Sequence, residues 1–257
     1  MAAPDPVTSQ PMRNVDQWKP SKFEYRNGRL RGSRDPKKVG IASRVMVDLI
    51  GGFYQQALPT YAKGALIDLG CGKVPLFATY KGHVSSVTCL DWGNSMHPNP
   101  HLDQEQDLNQ PIAYPDSSFD SIILSDVLEH IRKPEELIRE MHRILRPGGH
   151  VIMNVPFYYG LHEQPFDYYR YTRHALKSMT EDAGFEVVEL ACIGGVPEIM
   201  ADLFSKSVRG VPVVGRPMAK LAQAFTSWFV RGGLGARMSK LTSSEHPFGY
   251  ALVLRKG

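Results

Sequence analysis

An α/β fold built on a parallel sheet is the architecture that the 257-residue sequence predicts, on three observations. Short apolar runs alternate with segments of helical periodicity, the pattern of successive βαβ units. Three of the runs end on an acid, at Asp68, Asp91 and Asp126. The first is followed at once by a tight Gly70-Cys71-Gly72 turn, in the stretch "LIDLGCGKVPLF" (66–77). Parallel sheets bind ligands beyond the carboxyl ends of their strands, so these acids and Ser125 are expected along one rim.

Residues 1–36 are polar and carry several prolines, and are read as an N-terminal arm or lid, partly disordered when free. Residues 37–257 form the remaining domain. In it, "VGIASRVMVDLIGGFYQQAL" (39–58) has helical spacing and is expected to pack on the sheet edge. "ALIDLG" (65–70), "SVTCLD" (86–91) and "FDSIILSD" (119–126) are the first three strands. "PEELIREMHRILRPGG" (134–149) is a helix: Pro134 suits its first turn, Glu135 and Glu136 its positive end, and Gly148 its stop. "HVIMNVPF" (150–157) is a fourth strand, "RHALKSMTEDAG" (173–184) a helix ended by Gly184, and "FEVVELACI" (185–193) a fifth strand. "FGYALVLRK" (248–256) is the last. Between the last two strands lies a helical block, 196–245. Its stretch "MAKLAQAFTSWF" puts Met218, Leu221, Ala222, Phe225, Trp228 and Phe229 on one face, flanked by Arg209, Arg216, Lys220 and Arg231.

Hydrophobic residues make up 42% of the chain, charged residues 22%, and the net charge is +4, which permits an acidic partner without requiring one. Basic residues cluster only in "YRNGRLRGSRDPKK" (25–38), a run that suits phosphates, anionic lipid or plain solvent. No nucleic-acid-reading motif accompanies it, so nucleic acid is not an expected partner. Three cysteines, Cys71, Cys89 and Cys192, form no CxxC pair and point to a reduced, cytoplasmic compartment. The first residues lack the charged region and apolar core of a secretory signal. No apolar run reaches the roughly 18 residues of a spanning helix.

The rim selects a cofactor by its chemistry. A dinucleotide site wants GxGxxG, but Pro75 stands where the third glycine belongs. A P-loop GxxxxGK[ST] is also absent. Asp68 ahead of Gly70 would repel a pyrophosphate and attract an α-ammonium instead. Asp91 can accept hydrogen bonds from both hydroxyls of a ribose. Trp92 can pack on a purine, and Asp107, followed by Leu108, can accept from its exocyclic amine. Amino acid, ribose and adenine together describe S-adenosylmethionine (SAM).

On "LIDLGCG" (66–72), "CLD" (89–91), "QDLNQPIAYPDSSFDSIILSDVLEHI" (106–131) and "ELIREMHRILRPGGHVIMNVPF" (136–157), the chain resembles the class I SAM-dependent methyltransferases over roughly residues 60–193. "HEQPFDYYRYTRHAL" (162–176) further resembles a bacterial subgroup of polysaccharide and surface-glycan pathways. The resemblance implies a Rossmann-like sheet, mostly parallel with an antiparallel last strand, and a helical insertion before that strand. It also implies that Asp68, Gly70, Cys71 and Gly72 contact the methionine part of SAM, with Cys71 a small spacer. Asp91 would hold the ribose, Trp92, Asp107 and Leu108 would meet the adenine, and Ser125 and Asp126 would lie close to the cofactor. Tyr25 and Arg29 of the arm could close over it. One departure stands out: only "WGNSMHPNPHLDQEQ" (92–106) separates the ribose acid from the adenine acid, where the family has a full helix and strand. That helix is expected to be lost or reduced to a turn.

Methyl transfer from a sulfonium requires an aligned nucleophile, exclusion of water and, for a hydroxyl acceptor, a base. The loop "FYYGLHEQPFDYYRYT" (157–172) is placed to supply them. His162 is the candidate base, oriented by Glu163, and Tyr168, Tyr169 and Arg170 are the candidate acceptor contacts. His162, Asp167 and Arg170 as a purely structural lock, or His162, Glu163 and Asp167 as a divalent metal set, are the alternatives; no standard metal-ligand spacing is present. Asp126 and His130 would share a face if a helix began there. The 196–245 block is read as a lid, a homodimer interface or a peripheral membrane contact at the inner face of the membrane. The leading function is O-methylation of a sugar or glycan, lipid-linked or part of a surface polysaccharide. Methylation of a quinone or other small metabolite, and a non-catalytic binding or scaffold protein, are the alternatives.

Overall fold

The computed structural model describes residues 12–93 and 99–257. Its main sheet has seven strands: β3 (Gly64–Leu69), β4 (Val84–Asp91), β5 (Gln104–Glu105), β6 (Phe119–Ser125), β7 (Leu145–Pro156), β8 (Phe185–Ile193) and β9 (Gly249–Lys256), in spatial order β5-β4-β3-β6-β7-β9-β8. All neighbours are parallel except that β9 runs antiparallel to both β7 and β8. Strand order reverses on either side of β3, so the crevice at its carboxyl end is the point where such sheets take ligands.

Side-chain alternation explains how the core divides into two layers. Leu66 of β3, Ile123 of β6 and Ile152 of β7 point to one face, where they meet Tyr54 and Leu58 of α1 (Arg44–Tyr61). Ile67, Leu69, Ile122 and Leu124 point to the other, against Ile138 and Met141 of α3 (Pro134–Ile144) and Leu176 of α4 (Arg173–Asp182). A four-residue helix, α2 (Phe77–Tyr80), follows the glycine turn. The central strands are buried on both faces, which is why they read as continuous apolar runs.

Two boundaries differ from expectation. Helix α3 ends at Ile144, not at residue 149, because Leu145 already pairs with Phe119. The following Pro-Gly-Gly forms an irregularity in β7, with Gly148 at φ 74°. The short segment after Asp91 keeps a remnant of its strand, the two-residue β5, paired with Leu90 and Asp91; part of it, 94–98, lies outside the described residues.

From Met12 on, the segment read as an arm is folded. A hairpin, β1 (Phe23–Arg26) and β2 (Arg29–Gly32), lies on α1 and buries Phe23 and Leu30 in the core. Asp48 of α1 accepts from the Gly32 N–H and pairs with Arg34. Tyr25 and Arg29 sit in this hairpin; the Tyr25 hydroxyl lies 3.4 Å from Thr79 Oγ1.

The block before β9 forms three helices, α5 (Val196–Val208), α6 (Gly215–Phe229) and α7 (Gly233–Thr242). Helix α6 docks by its small and polar face, with Gly215, Ala219, Gln223 and Thr226 inward. Gln223 accepts from the Val45 N–H at the start of α1 and donates to Ala201 and Ser205 of α5. The large apolar face is turned outward: Leu221, Phe225 and Trp228 are 72%, 57% and 69% exposed.

Candidate active site

The turn after β3 is held by the next strand. The Gly70 and Cys71 N–H groups both donate to the Leu90 carbonyl, and the Gly72 N–H donates to Asp91 Oδ2 at 2.8 Å. Gly70 has φ 71°, and a Cβ there would meet Val127 at 2.5 Å, so this position admits no side chain. A Cβ on Gly72 (φ 50°) would point into open space. The two glycines thus serve different ends: one permits close packing, the other leaves the approach to the crevice clear. From the N-terminal segment, Trp18 Nε1 donates to the Val74 carbonyl, and Asn99 donates to the Gly72 carbonyl.

Two carboxylates face this turn. Asp68 is 3% exposed, and burial, with the nearby charge of Asp91, pushes its pKa from 3.8 up to about 7. Asp91 is also raised by burial, although the backbone N–H groups of Trp92 and Gly72 oppose this. Cys71 is buried, and its thiol is driven far above the usual range by its contact with Cys89 and by desolvation, so it is no nucleophile.

Beyond β4 a cleft of ≈ 620 Å³ is lined by Trp92, Asp107, Asn109, Arg132, Phe166 and Tyr168, among others. Trp92 packs edge-on against Phe166 with ring centroids 4.8 Å apart. One Asp107 oxygen is engaged by the backbone and side-chain amides of Asn109, which fixes the turn. Leu108 is buried at the base of this region.

At the ends of β6 and β7 a polar chain crosses from the core to the rim. The Tyr54 hydroxyl and the Ser125 hydroxyl both donate to Asn154 Oδ1, at 2.7 and 2.9 Å. Asn154 Nδ2 donates to Asp126 Oδ1, and Lys22 Nζ pairs with Asp126 Oδ2 at 2.5 Å. Asp126 and His130 do not share a helical face. Asp126 has φ 53°, and only a 3-10 turn, Leu128–His130, follows.

The loop after β7 brings His162 to this rim, with partners other than the expected one. Glu163 is 69% exposed and its carboxylate faces His130 Nε2 at 3.8 Å, so it does not orient His162. The buried Glu129 and Asp167 do: His162 Nε2 lies 3.7 Å from Glu129 Oε1, and Nδ1 lies 3.4 Å from Asp167 Oδ2. Burial alone would lower the His162 pKa, but Glu129 and Asp167 outweigh it and raise it. Burial raises Glu129 in turn. Arg170 is spent on a bidentate pair with Asp167 (2.6 and 2.8 Å), which holds that carboxyl down at about 2. It is therefore not free for an acceptor. The Tyr169 hydroxyl donates to the Arg132 carbonyl, and Tyr168 accepts from Arg132 at the cleft wall. Glu129, Asn154, Tyr54 and Lys22 were not legible as site residues. The only signal for Glu129 was an acid set among Val127, Leu128 and Ile131 in "DVLEHI" (126–131).

A parallel sheet with one antiparallel strand, a glycine turn under a buried acid, and a second acid closing the next strand form the Rossmann-like fold that SAM-dependent methyltransferases share. A family model described as "Methyltransferase domain" matches residues 48–190, more than half of the chain, and the chain belongs to that family. It is 34% identical over 100 residues to the thiol S-methyltransferase TMT1B of Mus musculus, covering 33% of this chain and 39% of that protein. It is 30% identical over 110 residues to the ubiquinone/menaquinone biosynthesis C-methyltransferase UbiE of Escherichia fergusonii, covering 31% of this chain and 44% of that one. The chain thus spans less than half the length of these curated relatives. Among solved structures it is similar to an S-adenosylmethionine dependent methyltransferase from Mesorhizobium loti (TM-score 0.51, 16% identity), covering 81% of this chain and 100% of that one. SAM is accordingly the cofactor.

Proposed function

We propose that the enzyme methylates a hydroxyl of a sugar or glycan, with the acceptor seated between the SAM sulfonium and the Glu129–His130–His162 cluster. Asp68 receives the α-ammonium of SAM, and the Gly70-Cys71-Gly72 turn lies against its carboxylate end. Asp91 keeps spare lone pairs for the ribose hydroxyls beyond its two backbone donors. Trp92, Asp107 and Leu108 bound the adenine side, where the cleft is large enough for a nucleoside. Ser125 and Asp126 line the floor beneath the sulfonium. In the reaction the acceptor O–H proton passes to the cluster and the oxygen pair attacks the methyl carbon. The C–S pair returns to sulfur, leaving S-adenosylhomocysteine.

The observation that carries the hydroxyl reading is the buried carboxylate–imidazole cluster at the rim. A thiol with a pKa near 8.5 ionises readily and needs little help, whereas a sugar hydroxyl does not. Tyr168, at the wall of that cleft, offers a ring face for a sugar beside the nucleoside. A second reading, carbon methylation of a quinol, is favoured by the similarity to UbiE and by the apolar outer face of the α5–α7 block. In both readings we place that face on the cytoplasmic side of an anionic membrane. No helix among the described residues is long and apolar enough to cross a membrane. Exposed Leu221, Phe225, Trp228, Leu234 and Leu241 would enter the lipid, while Arg209, Arg216, Lys220, Arg231, Arg237 and Lys240 would meet its headgroups.

Calorimetric titration tests the cofactor assignment. The wild type is expected to bind SAM and S-adenosylhomocysteine, Asp68→Ala to lose at least about tenfold in affinity, and His162→Gln to retain it. With lipid-linked or nucleotide-linked sugars as acceptors, His162→Gln is expected to lose about 10²–10⁴ in turnover. Full turnover by that variant removes the cluster from the chemistry.

A further inference from the structure

The hydrogen-bond roles of two histidines leave a cluster of lone pairs with no donor. His130 Nδ1 lies 2.7 Å from the Phe166 carbonyl, which only accepts, so Nδ1 carries the proton. His162 Nδ1 likewise faces acceptors, the Gly160 carbonyl at 3.3 Å and Asp167 Oδ2 at 3.4 Å. In the neutral rings both Nε2 atoms are then unprotonated. They converge on Glu129, a side chain with 0% exposure, whose Oε1 is 3.8 Å from His130 Nε2 and 3.7 Å from His162 Nε2. Both Glu129 oxygens and His130 Nε2 are buried and lack any hydrogen-bond partner. One ligand atom from each of the three residues falls within 4.8 Å of the others. Acceptors packed this way are relieved by a proton on Glu129 or on an imidazole, or by a cation held among them.

We propose that Glu129, His130 and His162 bind a divalent transition metal. Two imidazoles and one carboxylate, with the outer ring nitrogens held by carbonyl and carboxylate groups, are the donor set of open metal sites. Bonds of about 2.0–2.2 Å to such ligands set ligand–ligand separations of about 3–4 Å, a range that already holds the distances from Glu129 Oε1 to the two Nε2 atoms. Glu163 Oε2, 3.8 Å from His130 Nε2, stands at the exposed edge and leaves the remaining positions open. The metal site stands on this geometry alone. Its use rests on the hydroxyl-methylation reading. A hydroxyl ligated at an open position gives up its proton more readily. With the metal bound, Glu163 in place of the cluster would take that proton, the freed oxygen pair would attack the sulfonium methyl, and the C–S pair would return to sulfur.

The metal readout needs neither turnover nor an acceptor. Chelator-treated full-length protein is titrated with Co²⁺ while visible absorption is followed, and with Zn²⁺ while metal retained through gel filtration is measured. One equivalent per chain is expected, with a visible Co²⁺ band. Affinity is expected to fall at least about tenfold in Glu129→Gln, His130→Gln and His162→Gln. SAM titration of each variant confirms that the fold persists; should Glu129→Gln fail to fold, the half-exposed His162 decides. Substoichiometric metal in the wild type, or undiminished binding in the histidine variants, overturns the proposal. Metal binding without SAM binding would leave this site standing and sink the methyl-transfer reading instead.

Discussion

Asp68 places a carboxylate where water hardly reaches, and in its proposed role at the α-ammonium this would make SAM binding depend on pH. Its rise from 3.8 to about 7 amounts to on the order of 4 kcal/mol against ionisation in the empty site. The sign follows directly. The folded pKa lies above the unfolded one, so the cost is absent below about pH 4, grows as pH rises, and is complete above pH 7. An α-ammonium restores the charged form. SAM affinity is therefore expected to strengthen from pH 6 to pH 8. Below pH 7, binding is expected to release a proton, visible as a dependence of the calorimetric heat on the ionisation enthalpy of the buffer. Asp68→Asn is expected to raise the melting temperature of the ligand-free protein at pH 8 while abolishing that pH dependence; an unchanged pH profile would refute the role. The positions of Asp68 and Asp91 were readable because each closes an apolar run, and Asp68 is followed at once by the glycine turn. Glu129 was not, because its partners reach it only through the tertiary fold. The Tyr54–Asn154 contact, joining residues 100 apart, is hidden for the same reason.

Helices carry a second kind of information, the direction of their faces. Periodicity located α3 and α4 and the stripe of α6, since helical spacing is local. It could not say which face of α6 is inward. The structure buries Ala219, Gln223 and Thr226, because small residues allow close approach to α5 and Gln223 bridges to α1. The bulky stripe then has no protein to cover it among the described residues. Six exposed basic residues from Arg209 to Lys240 surround it, against Glu245 as the exposed acid of the block. Sedimentation with vesicles containing phosphatidylglycerol is expected to retain the wild type. A Phe225→Ala, Trp228→Ala double variant is expected to lose at least about tenfold in partitioning, at about 25 cal/mol per Å² of apolar surface. Raising salt should weaken binding through the basic rim. Equal partitioning of variant and wild type, or dimerisation through this face in analytical ultracentrifugation, would exclude the membrane role.

Across the whole molecule, the mostly parallel sheet was legible because βαβ alternation permits few topologies, and the resemblance supplied the antiparallel last strand. The N-terminal segment was not, because its composition is polar and its anchors are few. Those anchors do their work at long range: Phe23 and Leu30 enter the core beside α1, and Trp18 and Lys22 reach the turn after β3 and Asp126. The N-terminal segment is thereby tied to the turn after β3 and to Asp126 at the end of β6. Removing the ring in Phe23→Ala deletes a side chain only 1% exposed, which is expected to cost about 3–5 kcal/mol in urea denaturation. An idle arm would leave the denaturation midpoint where it was. Lys22→Met tests the linkage more gently, because it removes the cation but keeps the length of the side chain, which is partly exposed. Its stability is expected to change little, while SAM affinity falls as Asp126 loses its partner and the Ser125–Asn154 chain beside it loosens. Affinity equal to wild type in that variant would show that the hairpin supports the sheet without shaping the site.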